Sequence, residues 1–161
     1  MKKSLLALAV LAASGAAMAQ SSVTLFGIVD TGFGYVKNSG GDKKIGLSTS
    51  GNATSRLGFR GVEDLGGGLK AGFWLEGQLD GDVGNANGFN FQRRSTISLA
   101  GNFGEVRMGR EFTPGYVKAS SYDMFGQVGM GQFLGWSQSL SDFGGDINGV
   151  RSSNMLSYYT P

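Results

Sequence analysis

The architecture of this chain is indicated most clearly by residues 55–79, which read SRLGFRGVEDLGGGLKAGFWLEGQL. At the start of this stretch the apolar residues Leu57 and Phe59 alternate with Arg56 and Arg60, and alternation resumes beyond a cluster of glycines. Alternation with period two is typical of a β-strand that has one apolar and one polar face, and an acidic, glycine-rich break predicts a tight turn. These residues therefore predict an antiparallel β-hairpin.

The same pattern recurs along the chain and predicts six strands, at about 23–36, 55–62, 69–79, 92–101, 105–112 and from 151 onward. The predicted connections are long at 37–54 and 113–150, medium at 80–91, and short at 63–68 and 102–104. Long loops at one end of a sheet and tight turns at the other are typical of outer-membrane barrels. A tilted strand of about ten residues rises roughly 23 Å, close to the height of the apolar band of such barrels. The sequence therefore predicts an all-β, transmembrane antiparallel β-barrel.

A secreted soluble β-sandwich is the alternative, because its strands also alternate apolar and polar residues. Alternation alone does not separate a face that is covered by a protein core from one that is covered by lipid. The long segment 113–150 favours the barrel, since a loop of that length is uncommon in a compact domain unless it has a function.

The amino terminus predicts export. Lys2 and Lys3, an apolar run and then small residues up to Ala19 are typical of a secretory signal peptide, so we expect 1–19 to be removed and 20–161 to form the mature chain. Without the two lysines, 12 basic residues balance 12 acidic ones, which argues against nucleic acid as a partner. The chain has no cysteine and no histidine, which excludes disulfides, thiolate nucleophiles, His-based triads and Cys/His zinc sites. We predict no enzymatic activity, no metal site and no cofactor.

Three segments resemble a known family: SVTLFGIVD at 22–30, SRLGFRGVEDLGGGLKA at 55–71 and LAGNFGEVRMGR at 99–110. They are similar to the general, non-specific porins of Gram-negative bacteria, in particular those of the beta-proteobacteria. The resemblance implies a sixteen-stranded barrel that assembles as a homotrimer in the outer membrane, in contact with lipid and lipopolysaccharide. It implies a water-filled channel for ions and small hydrophilic solutes, narrowed by the inward-folding third loop, here 113–150.

The resemblance also implies a constriction in which arginines of the barrel wall face acids of the loop. The wall positions fall on Arg56, on Arg151 and on the predicted fourth strand, where the family's position aligns with Thr96 and Arg94 lies two residues away on the same face. Glu76 matches a pore-facing acid of the third strand. On the loop, one acidic position falls on Asp123 and a second on Gln127, so the acidic side is thinner here.

The parity of the strands supports this orientation without reference to the family. Arg56, Arg60 and Arg94 lie on the polar faces of their strands, and an arginine that faced lipid near mid-bilayer would cost ~2–4 kcal/mol. We therefore expect these arginines to face water and to give a mild anion preference. A structural alternative is that Arg56 and Arg94 pair with acids across the lumen and hold the loop. Arg107 and Glu111 are expected to form a solvated pair near the strand ends.

Six strands are too few to close even the smallest outer-membrane barrel, which needs eight. We therefore expect this chain to be the amino-terminal portion of a porin or a truncated product, which alone would not function. A small, non-conducting structural or adhesive barrel is the other functional alternative.

Overall fold

The computed structural model of this chain describes residues 22–85, 88–128 and 149–161. The predicted signal peptide, 1–19, lies outside the described residues. The described residues form eight strands and one helix: β1 Ser22–Ile28, β2 Thr31–Lys37, β3 Lys43–Thr49, β4 Arg56–Gly66, β5 Leu69–Gln78, β6 Arg94–Gly101, β7 Gly104–Phe112, α1 Pro114–Ser120 and β8 Arg151–Tyr159.

Six of these strands make one antiparallel sheet, in the order β1-β4-β5-β6-β7-β8. From β4 to β8 the strands follow one another as a meander. Tight turns at 67–68 and 102–103 join them at one end, and the longer connections 79–93 and 113–150 lie at the other. The predicted asymmetry between the two ends is therefore present in the fold.

The amino-terminal region differs from the prediction. The single strand expected over 23–36 is two strands, β1 and β2, and the loop expected over 37–54 contains the strand β3. Ile28 pairs with Arg56, whereas Thr31 pairs with Thr49, so two residues of one strand stand opposite the six residues 50–55 of the other. The prediction was wrong here because residues 43–49, rich in Lys, Gly, Ser and Thr, resemble a loop until the pairing with β2 is known.

One face of the six-stranded sheet is apolar and exposed. Register places in one row across the six strands Val23, Gly61, Phe73, Ile97, Met108 and Leu156. Val23 is 67 % exposed, Ile97 58 % and Leu156 73 %. A soluble sandwich would cover such a row with a second sheet. Among the described residues no apolar side chain is buried, so this face fits a lipid environment and not a protein core.

The opposite face is polar and contains the buried side chains of Thr96 and Glu111. The neighbouring row runs from Thr24 through Arg60, Trp74 and Thr96 to Gly109.

Within the described residues, no helix has the length and apolar character required to cross a membrane.

Candidate functional site

Three arginines stand at the same end of the polar face, because each begins a strand of the same direction. Arg56 is the first residue of β4, Arg94 of β6 and Arg151 of β8, and alternate strands of an antiparallel meander start at the same edge. This edge is the one that bears the long connections. The topology therefore brings the three predicted wall arginines, from segments far apart in sequence, to the same end of the sheet.

All three arginines line one open hollow of about 1600 Å³ on the polar face. Its wall also contains Phe26, Trp74, Glu76, Gln78, Arg93, Arg107, Glu111, Phe112 and Tyr159 of the strands and strand ends. Residues 51–54 border the hollow on one side, and residues of α1 and 124–128 border it on another.

The charge of the hollow is strongly positive. Five arginines and two glutamates are among its described lining residues, which leaves three positive charges in excess. Both glutamates are in ion pairs with arginines of the same wall, Glu76 with Arg93 and Glu111 with Arg107. In the described part of the chain, no ion pair neutralises Arg56 or Arg94.

Glu76 is held from two sides. Arg93 Nε donates to Glu76 Oε1 at 2.7 Å, and Trp74 Nε1 donates to Glu76 Oε2 at 3.1 Å. The side chains of Arg93 and Glu76 are only 10 % and 12 % exposed. Charge-assisted hydrogen bonds of this kind are the stronger ones in proteins, so Glu76 is fixed to the wall.

Arg94 is fixed by its own strand and by an aromatic ring. Its Nε donates to Thr96 Oγ1 at 3.1 Å, and its guanidinium lies 4.5 Å from the ring centre of Trp74. The Arg60 guanidinium also lies near Trp74, at 5.2 Å, and 5.5 Å from the Phe26 ring. Trp74 therefore orients two arginines by cation–π contact and one carboxylate by its indole N–H. Arg60 and Thr96 line a smaller adjoining hollow of about 400 Å³, not the large one.

Arg151 connects β8 to the loop before β6. Its Nε donates to the carbonyl oxygen of Arg93 at 2.8 Å, and its guanidinium lies 4.3 Å from the Phe112 ring centre. The Tyr116 ring of α1 stacks on Phe112 with ring centres 4.9 Å apart. Burial raises the pKa of the Tyr116 phenol against the opposing effect of Arg151 and Arg93, so this ring is neutral near pH 7.

Arg107 and Glu111 form the expected ion pair, but the pair is largely buried and not solvated. Glu111 is 5 % exposed, and its carboxylate accepts from Arg107 Nη1 at 2.8 Å and from Ser157 Oγ at 3.0 Å. Arg107 also pairs with Glu105 at 2.9 Å, and its guanidinium lies 4.3 Å from the Tyr159 ring. The expectation of solvation was wrong because the shared parity of these residues puts both side chains on the polar face, where Ser157 and Tyr159 of β8 cover them.

The two predicted loop residues occupy different places. The Asp123 carboxylate accepts from the backbone N–H groups of Phe125 and Gln127 and from Gln127 Nε2, so it organises the turn in which it lies. Gln127 lines the hollow, and Asp123 is not among the lining residues. The roles predicted for Asp123, Gln127, Glu76 and the wall arginines remain predictions. Of the expected inward loop, residues 129–148 lie outside the described part.

Sequence reasoning missed Arg93 and Trp74 of this wall, and it placed Arg107 and Glu111 outside it. Arg93, the ion-pair partner of Glu76, precedes β6 and has no place in its alternation. Arg107 and Glu111 were expected to pair, but near the strand ends and outside the wall, although their shared parity puts both on one face of β7. Trp74 lies on the same face as Arg60, and this shared parity could have indicated their contact.

Comparison with known proteins agrees with this geometry. The family model of the Gram-negative porins matches residues 5–161, and the chain belongs to this family. It is 66 % identical to outer membrane porin protein 32 of Delftia acidovorans over its whole length, which is 46 % of that protein. It is 39 % identical to an outer membrane porin protein of Bordetella pertussis, of which it covers 45 %. It is also similar to a solved structure, an anion-selective porin from Comamonas acidovorans, with a TM-score of 0.80 and 62 % identity over 88 % of this chain and 43 % of that one.

These findings confirm the predicted class of fold, an antiparallel β-barrel of the porin type. The relatives are named as outer membrane proteins, and the outer membrane is accordingly the location of this chain. The chain spans slightly less than half the length of the relatives it matches over its full extent. The activity of a whole porin is therefore a proposal for this chain.

Proposed function

We propose that the described strands form one side of a water-filled channel through which ions and small hydrophilic solutes diffuse, with a preference for anions. The observation that carries this proposal is the charge of the hollow, where five arginines face two glutamates that are both already paired. The similar porin from Comamonas acidovorans is anion-selective, which supports the same direction of selectivity. Catalysis has no part in this proposal, and the relatives are porins.

The physical basis of the preference is the field inside a narrow aqueous passage. Charges in a cleft with low-dielectric walls focus the potential and raise the local concentration of ions of opposite sign. Rings or clusters of Arg and Lys select anions in pores for this reason. Salt screens the field over a Debye length of about 10 Å at 0.1 M, so the preference should weaken as the ionic strength rises.

The channel requires more strands than those described. Backbone amides that faced hydrocarbon without a partner would each cost several kcal/mol, so the edges at β1 and β8 must pair with further strands. We propose that these strands complete a sixteen-stranded barrel, as the family resemblance implies, and that three barrels form a homotrimer surrounded by lipid and lipopolysaccharide. The length of the relatives supports the first part of this proposal.

The test is planar-bilayer electrophysiology on the full-length porin that contains this sequence. We expect stepwise currents and a reversal potential, in a salt gradient, on the anion-selective side. Replacing Arg56, Arg94 and Arg151 together by Gln should shift the reversal potential toward cations. Arg110→Gln is the matched control, because Arg110 is outside the hollow and shares the parity of the outward face.

Two outcomes would contradict different parts of the proposal. An absence of stepwise current from correctly assembled protein would refute the channel. A normal current with a reversal potential that does not respond to the triple substitution would refute the assignment of these arginines to the filter.

A further inference from the structure

Residues 50–55 leave the barrel wall between β3 and β4, and we call this segment the excursion. It is held by one carboxylate. Opposite it, only two residues, Val29 and Asp30, separate β1 from β2. Asp30 Oδ2 accepts from the backbone N–H of Asn52 at 2.7 Å and from that of Ala53 at 2.6 Å. One carboxylate oxygen therefore satisfies two successive amides of the excursion.

The base of the excursion is closed by a second set of hydrogen bonds around Asp30. The Asp30 N–H donates to Ser55 Oγ at 2.8 Å, Ser55 Oγ donates to the Asp30 carbonyl oxygen at 3.0 Å, and the Ser50 N–H donates to that same oxygen at 2.9 Å. Ser55 is 1 % exposed, so these bonds are shielded from water. Ser50 enters the excursion with φ +62, a conformation that is unfavourable for a residue with a side chain and needs such support.

The excursion is directed into the hollow. Gly51, Asn52, Ala53 and Thr54 all line it, beside Arg56 and facing the same space as residues 124–128. Asp30 itself is absent from the lining, so its carboxylate acts on the passage through the segment that it holds.

We infer that residues 51–54 form a second narrowing element of the channel, fixed inward by Asp30, which is a positioning residue for pore size. This inference rests on the proposed channel function. The wall of the barrel itself, and not only the loop after β7, then sets how much of the hollow is open to a passing solute. Removing the Asp30 carboxylate should release the amides of Asn52 and Ala53 and widen the passage.

The first test places a reporter in the excursion while Asp30 is kept. The chain has no cysteine, so Asn52→Cys introduces a single thiol into it. Only the backbone N–H of Asn52 is used in the contact with Asp30, and the substitution retains that group. In planar bilayers, a bulky methanethiosulfonate reagent added to the full-length porin should cause a stepwise loss of current. Asp42→Cys, in the β2–β3 turn outside the hollow, should be labelled without loss of current.

The second test changes the support. Asp30→Ala removes the acceptor oxygens and should increase single-channel conductance and admit larger polyethylene glycol molecules than the unmodified porin. Asp42→Ala removes the same group from the β2–β3 turn and should change neither quantity. In the combined Asp30→Ala and Asn52→Cys variant, labelling should block a smaller fraction of the current than with Asp30 present.

The outcomes separate this inference from the proposed function. If the unmodified porin conducts, and mass spectrometry shows complete labelling of the Asn52→Cys variant while its current is unchanged, the inference is overturned and the channel proposal stands. If Asp30→Ala does not assemble, the Asn52→Cys result decides alone. An unmodified porin that does not conduct refutes the channel and, with it, this inference.

Discussion

Replacing Glu76 by Gln should make the channel more anion-selective. Glu76 is one of the two acids in the hollow, and its charge is balanced by Arg93 at 2.7 Å. The substitution leaves the guanidinium of Arg93 without that partner and raises the excess of positive charge on the lining from three to four. Arg93→Gln should have the opposite effect, because it lowers the excess to two.

The size of the change follows from Coulomb's law. In water a unit charge acts on an ion about 8 Å away with ~0.5 kcal/mol, which alters the local concentration of that ion about 2-fold. Anions and cations respond in opposite directions, so the permeability ratio should change about 5-fold at low ionic strength. At 0.1 M salt, screening reduces this change to about 2-fold.

The double substitution provides the internal control. Glu76→Gln with Arg93→Gln returns the excess charge to its original value, so the selectivity should return close to that of the unmodified porin. The losses in the free energy of unfolding should also be non-additive. Each single variant loses a charge-assisted hydrogen bond of about 2 kcal/mol and leaves the other charged side chain mostly buried without its partner. The free energy of unfolding should fall less in the double variant than the sum of its decreases in the two single variants.

The assay is the reversal potential in a tenfold potassium chloride gradient, measured at two ionic strengths for the three variants. Urea unfolding in detergent gives the accompanying free energies of unfolding. A Glu76→Gln variant that is less anion-selective, or a double variant that differs as much as the single ones, would refute the view that the Glu76–Arg93 pair is electrically neutral within the filter.

Two further predictions concern the two faces of the sheet. Ile97→Arg places a guanidinium on the exposed apolar row and should make the porin less stable in lipid vesicles by ~2–4 kcal/mol. Ile97→Phe is the control and should fold into vesicles normally. Equal stability of the two variants would show that this face does not contact lipid. Gly109→Ala should cost ~1–3 kcal/mol in urea unfolding, because Gly109 has φ +129 and an added Cβ would collide with the carbonyl oxygen of Ser95. Gly46→Ala, where a Cβ meets nothing within 4 Å, is its control, and a similar loss in both would contradict the steric argument.

Much of the fold could be predicted because the faces of a strand follow from local alternation. The hairpin of β4 and β5, the turn at 102–103 and the strand β7 were all predictable within a few residues. The division of the first strand into β1 and β2 was not, since it depends on a pairing offset between Ile28 and Thr31 that the sequence of either strand alone does not reveal.

The candidate site could likewise be predicted only in part. The position of Arg56 and Arg94 on the polar face followed from parity, because both alternate with apolar side chains of their strands. The partner of Glu76 did not, since Arg93 lies before β6, outside the alternation of that strand. The role of Asp30 was not predicted either. Its carboxylate binds backbone N–H groups, which every residue except proline carries, so the side chains of Asn52 and Ala53 gave no sign of the contact.

The sequence by itself determined which side chains share the apolar face of a strand and which share its polar face, because period-two alternation is a property of each strand and needs no knowledge of its neighbours. Only the tertiary structure decided which charges neutralise each other and which residues narrow the hollow. Those contacts join positions far apart in the chain, such as Arg151 with the carbonyl of Arg93, 58 residues away, and Asp30 with Ser55, 25 residues away. Their formation depends on register and on bulges, which are set when strands pair and not by the composition of any one segment.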